Sequence, residues 1–269
     1  MTEMTTQAHQ SEWLEQWKLL QDNELFLFQE WIAPYTLADF KDKTVLEAGC
    51  GGGQHTHFMA PYAKHITAVD LNTIILAKER NQSFNHIDYV EADVATMDLQ
   101  KQFDMVVCIG VLQHTDSPEK TIINLKKHLK PGGLLLVWCY SAEGNLLTRY
   151  LVEPWRKLML KNYSRSNLLT LSKVITALMY IPIYTFYLLP LRFLPYYEYF
   201  QNFRKMSFYR NTLNVFDKLN APQTDFISKA RAEKYVQDLE KGSVLPYKGV
   251  SWRMSGYRHS NKFNTDLPA

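Results

Sequence analysis

Apolar residues recur at helical spacing between Ser11 and Ala33, as Trp13, Trp17, Leu20, Phe28 and Trp31. The pattern predicts one amphipathic helix, capped by Ser11 and stopped by Pro34, that packs on a sheet flank or folds over a ligand edge. From Lys43 the rhythm changes. Short apolar runs at 44–48, 65–69, 86–91, 104–109 and 133–140 read as strands, and the segments near 54–63, 73–83 and 118–129 read as helices. Pro131-Gly132-Gly133 reads as the turn into the fifth strand. Buried strands alternating with helices predict an α/β fold with a doubly wound parallel sheet. Right-handed crossovers then place every strand's carboxyl end on one edge, where ligands bind.

Residues 142–224 break this rhythm with several helical candidates and an uncharged run from Val174 to Leu191, 18 residues interrupted by Pro182 and Pro190. Length alone makes the run a weak membrane-spanning candidate. Pro182 in mid-run and the nearby Tyr180, Tyr184, Tyr187 and Tyr196 suit a packed cap or an interfacial segment better. Past Asp225 the core pattern resumes, with a helix over Ser228–Leu239 and strands near 243–246 and 249–254 as a closing hairpin. The expected organisation is an N-terminal helical flap (1–40), a core (41–141), a helical cap insertion (142–224), the completion of the core (225–258) and a tail (259–269).

Composition sharpens the division. A chain of 269 residues suits one domain of about 150–200 residues with appendages. Residues 1–140 hold 11 Lys/Arg against 18 Asp/Glu, whereas 141–220 hold 11 against 4. An aromatic, basic insertion on an acidic core has a different task from the core. Cys50, Cys108 and Cys139 sit near the ends of apolar runs without zinc-ligand spacing, so packing roles in a reducing cytoplasm are expected and a metal is not. No charged segment followed by an apolar core opens the chain, so a secretory leader is not expected. Peripheral contact with the inner membrane face through 174–200 is the expected alternative to a buried cap.

The chemistry is concentrated in Thr44-Val45-Leu46-Glu47-Ala48-Gly49-Cys50-Gly51-Gly52-Gly53, with Asp70 closing the second strand 21 residues beyond Gly49. Strand, glycine turn, helix, strand and acid make a nucleotide-binding unit. A dinucleotide fingerprint would place its third glycine at position 54, which is Gln54. The acid at Glu47 would repel a phosphate and suits a ligand bearing positive charge. Asp70 can accept from both hydroxyls of a ribose.

This stretch resembles the first motif of class I S-adenosylmethionine (SAM) methyltransferases, and the likeness continues through residues 44–140. The resemblance implies a Rossmann-like seven-stranded sheet, mostly parallel with an antiparallel closing strand, and SAM as cofactor with S-adenosylhomocysteine as product. Glu47, Gly49, Cys50, Gly51, Gly53, His55 and Leu71 would contact the cofactor, with Asp70 at its ribose. Asp93 resembles the acid that accepts from the adenine amino group, flanked by Ala92 and Val94. The segment Ile109-Gly110 resembles the stretch whose carbonyl receives the methionine ammonium, and Leu129-Lys130-Pro131-Gly132-Gly133-Leu134 resembles the turn before the fifth strand.

Methyl transfer is an in-line displacement, so the enzyme orients a nucleophile and, for a hydroxyl acceptor, removes a proton. His114, after the fourth strand, is the candidate general base, the alternative being a loop-filling or helix-capping role. His57 is expected to be exposed. Tyr140, Asn145, Asn214, Asp217 and Arg253 are the candidate acceptor contacts. An aromatic, basic cap favours a small amphipathic or anionic acceptor, with Arg204, Lys205 or Arg210 available for a carboxylate or phosphate. Two alternatives remain: an RNA methyltransferase whose insertion clamps nucleic acid, and a non-catalytic SAM-fold subunit. A pI near 8.6 weakens the first, since nucleic-acid binders are usually more basic. The intact acids Glu47, Asp70 and Asp93 weigh against the second.

Overall fold

The computed structural model describes residues 14–18, 24–160, 163–221 and 224–260. Seven strands form one sheet: β1 (Thr44–Ala48), β2 (His65–Asp70), β3 (Ile87–Glu91), β4 (Phe103–Ile109), β5 (Leu129–Tyr140), β6 (Glu240–Tyr247) and β7 (Ser251–Tyr257). Their order is β3-β2-β1-β4-β5-β7-β6. The first five run parallel, and β7 is antiparallel to both β5 and β6. The chain leaves β1 toward β2 and β3 and returns to β1's other side at β4. The carboxyl ends of β1 and β4 therefore flank the switch point, where a doubly wound sheet opens a crevice.

Successive strand residues feed opposite layers. Leu46, Val106 and Leu135 pack with Ile122 and Leu125 of α4 (Pro118–Lys127) and with Tyr235 and Val236 of α9 (Lys229–Val236). Val45, Met105 and Leu134 pack on the other face with Phe28 and Ile32 of α1 (Leu25–Ile32) and with Met59 of α2 (Gln54–Met59). Burial on both faces explains why the inner strands read as continuous apolar runs. The helix α3 (Ile74–Arg80) crosses from β2 to β3.

The insertion carries α5 (Glu153–Met159), α6 (Arg165–Ile183), α7 (Tyr197–Phe203) and α8 (Phe208–Asn220). Leu168 of α6 packs with Val215, Phe216 and Leu219 of α8 in a core of its own. A second cluster joins Leu27 of α1 to Ile183, Phe203 and Met206 of the insertion. Serines begin four of the helices: Ser117, Ser164, Ser207 and Ser228 each accept from the backbone N–H three residues on.

Three expectations need correction. The single helix over 11–33 is helical at 14–18 and again in α1, but Glu24 is not helical; Ser11 and Trp13 lie outside the described residues. Pro131-Gly132-Gly133 is not a turn but lies inside β5, where the register against β4 shifts between Phe103 and Met105. The helices after β1 and β2 are shorter than the periodicity implied, ending at Met59 and Arg80.

Candidate cofactor and acceptor site

The glycine turn is anchored to the neighbouring strand. The amides of Gly49 and Cys50 both donate to the Val69 carbonyl, at 2.8 and 3.0 Å. Gly49 has φ +81°, and the Val111 side chain stands where its Cβ would be; at Gly51, φ +52°, that place is taken by the Trp17 indole. Asp70 Oδ2 accepts from the Gly51 amide at 2.9 Å. Thr73, Arg80 and Asn81 donate to the carbonyls of Gly51, Gly52 and Gly53. Asp93, past β3, accepts from the Ala95 amide at 2.8 Å, and Val94 is buried in the larger core cluster. Leu71 is exposed beside Asp70.

Beneath this turn Glu47 is almost fully buried. One carboxylate oxygen accepts a short hydrogen bond from Thr56; the other, Oε1, has no hydrogen-bond partner among the described residues and lies 3.8 Å from His55 Nδ1. Burial raises the Glu47 pKa to about 8, against the lowering effect of Thr56, with Asp70 adding to the rise. Burial lowers the His55 pKa to about 4, and the positive charge of Arg210 adds to this. The imidazole is therefore neutral near pH 7, stacked on Phe28 with ring centres 4.9 Å apart. His57 is half-buried rather than exposed, with Nδ1 3.1 Å from Asn81 Oδ1.

From His55 an aromatic path crosses the crevice. Trp31 meets His55 edge-on and tilts against Trp138 at 4.7 Å; Trp138 meets Tyr140 edge-on at 5.4 Å, and Tyr140 meets His114 edge-on at 6.2 Å. These rings border a cavity of about 180 Å³ together with Gln54, Ile109, Gly110, Arg210, Asn214, Asp217 and Lys218. A second cavity of about 290 Å³ lies within the cap, lined by apolar side chains including Trp155, Ile175, Met179, Phe200 and Phe203. Tyr140, Tyr199, Asn214, Lys218 and Val250 border both cavities.

The shared wall is polar and internally bonded. Asp217 accepts from Gln16 Nε2 at 2.7 Å and from the Tyr140 hydroxyl at 3.1 Å. Burial and the Asp217 charge push the Tyr140 phenol well above its ordinary pKa. Lys218 Nζ donates to the Tyr199 hydroxyl at 3.0 Å and lies over the rings of Tyr199 and Tyr140. Burial opposes the ammonium, but Tyr199 and Asp217 outweigh it and hold the pKa above the usual lysine value.

The expected residues thus divide. His55, Ile109, Gly110, His114, Tyr140, Asn214 and Asp217 meet at the 180 Å³ cavity, whereas Gly49, Cys50, Gly51, Gly53, Asp70, Leu71, Asp93 and Val94 form the neighbouring edge of β1–β3. Asn145 borders the cap cavity, but its amide hydrogens go to the carbonyls of Ser141 and Val250, so it bridges backbone segments rather than presenting a donor. Arg253 is misplaced as an acceptor contact: on β7 it donates to the Glu30 and Pro246 carbonyls and does not border either cavity. Of the three cap cations, Arg204 serves Tyr187 and Gln201, Lys205 pairs with Glu30, and Arg210 alone faces the cavity. Lys218 and Tyr199 went unanticipated; the one signal was that Lys218 adjoins Asp217 in a polar stretch.

Residues 46–137 match the family model described as a methyltransferase domain. The ubiquinone biosynthesis O-methyltransferase of Rickettsia conorii is 30% identical over 105 residues, 37% of this chain and 35% of that protein. The mitochondrial ubiquinone biosynthesis O-methyltransferase of Schizosaccharomyces pombe is 30% identical over 122 residues, 42% of this chain and 44% of that one. The match therefore spans less than half the length of either relative. Residues 46–137 form a class I SAM-dependent methyltransferase domain. Beyond it the likeness is one of fold: an O-methyltransferase family protein from Burkholderia thailandensis aligns over 88% of this chain and 57% of its own, at 13% identity and a TM-score of 0.53.

The cradle of this methyltransferase domain fits its cofactor. Glu47 Oε1 is a buried acceptor that no described donor satisfies, and such a group is stabilised by a cationic partner. Asp70 and Asp93 stay partly exposed along the edge and supply further acceptors. An acid-lined cradle suits a sulfonium and ammonium ligand far better than a pyrophosphate.

Proposed function

We propose that the protein transfers a methyl group from SAM to a hydroxyl on a small amphipathic acceptor, whose reacting end lies in the 180 Å³ cavity and whose apolar body lies in the cap. The observation that carries this reading is the pair of adjoining cavities that share Tyr140, Tyr199 and Lys218 as a wall. The cofactor-side cavity is lined by polar and ionisable groups; the cap cavity is lined by apolar and aromatic ones. A hydroxyl acceptor is favoured because Lys218 is held protonated where an oxyanion would develop, and because the relatives named above are O-methyltransferases by name.

The cofactor supplies an electrophilic methyl on a sulfonium, so that transfer breaks the S–CH3 bond, forms O–CH3 and leaves the thioether S-adenosylhomocysteine. His114, on the short turn after β4, takes the hydroxyl proton. Lys218 stabilises the negative charge that grows on the acceptor oxygen. Tyr140 and Asp217 fix each other where the two cavities adjoin. Trp31 and Trp138 wall the reacting centre with apolar surface, which strengthens the Lys218 charge by excluding water.

The test uses the full chain, methyl-labelled SAM and phenols carrying alkyl chains of increasing length. Label is expected in the ether product, with kcat/KM rising with chain length. Lys218→Met is expected to lower kcat/KM for the phenol at least tenfold with SAM affinity unchanged, and His114→Ala to lower kcat with little change in either affinity. Label transferred to RNA instead, or kcat/KM indifferent to the chain, would overturn the acceptor assignment.

A further inference from the structure

The helix α6 is apolar on both faces, since Leu168 and Ile183 are buried on the inner one while other aliphatic residues remain outside. Ser172 and Thr176 are 0% exposed, and each satisfies its hydroxyl on the carbonyl four residues back. Val174, Leu178 and Ile181, at spacings of four and three, share the opposite face and are 51%, 60% and 63% exposed. A helix in water buries its aliphatic stripe and exposes its hydroxyls. The apolar surface continues past the helix through Phe186, Leu188 and Phe193, the last 81% exposed. A soluble monomer rarely leaves so continuous an apolar surface uncovered.

Charge selects the occupant. From Pro154 to Tyr197 the chain has six Lys/Arg and no Asp/Glu. Lys173 and Arg192 bracket the uncharged run, and both are exposed. Residues 1–140, by contrast, carry an excess of seven acids. Cations around exposed leucine, isoleucine and phenylalanine match the interface of an anionic bilayer, where side chains enter the acyl boundary and cations meet headgroups. The segment is long and apolar enough to span. Yet its inner face is committed to α8, where Leu168 packs with Val215, Phe216 and Leu219, so α6 lies in the interface plane.

We infer that the outward face of α6 and the segment through Phe193 is a membrane-docking surface for anionic lipid. Docking sets the cap cavity, which α6 also lines through Ile175 and Met179, beside the bilayer and keeps the acidic core away from it.

The full chain is mixed with vesicles of phosphatidylcholine and phosphatidylglycerol in equal amounts, and with vesicles of phosphatidylcholine alone, and floated on a density gradient. Binding is expected to the anionic vesicles, weakening as salt rises. Leu178→Glu with Ile181→Glu is expected to reduce binding at least tenfold, and Lys173→Gln with Arg192→Gln by roughly tenfold or more. The second pair alters only exposed charges and keeps the test open should the first pair unfold the cap; S-adenosylhomocysteine binding checks that both variants fold. Failure of the wild-type chain to float with anionic vesicles, or binding unaffected by either pair, overturns the inference. So does a dimer in sedimentation equilibrium that Leu178→Glu with Ile181→Glu dissociates, since the face would then belong to a second copy of the chain.

Discussion

Glu47 and His55 are placed to trade stability for ligand binding. Glu47 titrates near 8 in the folded chain against 4.5 ordinarily, so the fold favours its protonated form and loses that contribution as pH rises from about 4.5 to 8. His55 titrates near 4 against 6.5, so its contribution is present above about 6.5 and is lost as pH falls toward 4. Between pH 4.5 and 6.5 the two slopes cancel, and the pair leaves stability flat. Glu47→Gln is expected to stabilise the ligand-free protein at pH 8 by on the order of 2 kcal/mol and to abolish the alkaline slope, read from urea unfolding across pH. The same substitution is expected to weaken SAM at least tenfold, because the amide no longer offers a charge to the cofactor's cation. Glu47 and Asp70 were legible in the sequence because turn, strand and acid are separated by fixed short intervals. Lys218 and Tyr199 were not, because the cap brings them to the crevice from residues far along the chain. Arg253 misled because a residue type on a predicted hairpin does not say which way its side chain is directed.

Elements are joined by a few polar groups at strand ends. Asp104, at the start of β4, accepts from the Thr44 amide and hydroxyl of β1 at 2.8 and 2.6 Å and pairs with Lys130 of β5 at 2.9 Å. Against burial, those donors hold its pKa at about 2, so its contribution is present above about 3.8 and is lost as pH falls through 2. Asp104→Asn is expected to cost about 1–2 kcal/mol at pH 7, measured by urea unfolding, while S-adenosylhomocysteine affinity stays unchanged because the site lies at the opposite strand ends. A second junction binds three elements. Glu30 of α1 accepts from the Tyr247 hydroxyl of β6 at 2.5 Å and from Asn202 of α7 at 3.0 Å. At this scale the strands of the core were legible because burial on two faces leaves unbroken apolar runs. The break at Glu24 was not, since tryptophans on either side keep the helical period across it. The Pro131–Gly133 shift was equally hidden, because Gly132 at φ +74° suits a bulge and a turn alike.

For the whole molecule, an acidic sheet is roofed by a basic, aromatic cap. The sheet order β3-β2-β1-β4-β5-β7-β6 opens the crevice at β1 and β4, and α1 links core to cap through Leu27 and Glu30. The doubly wound parallel sheet followed from the alternating apolar pattern and its seven strands from the family resemblance, whereas the α1 link and the two cavities exist only once cap helices and strand ends are brought together. That the glycine turn is a SAM cradle is tested most directly by equilibrium titration of S-adenosylhomocysteine into the full chain. The wild-type chain is expected to bind one equivalent. At a ligand concentration 100 times Kd the added stability is about 2.7 kcal/mol, seen as a Tm higher by roughly 5–10 °C. Asp70→Ala is expected to bind at least tenfold more weakly at unchanged fold. No binding by the wild-type chain, or equal binding by Asp70→Ala, would contradict the account.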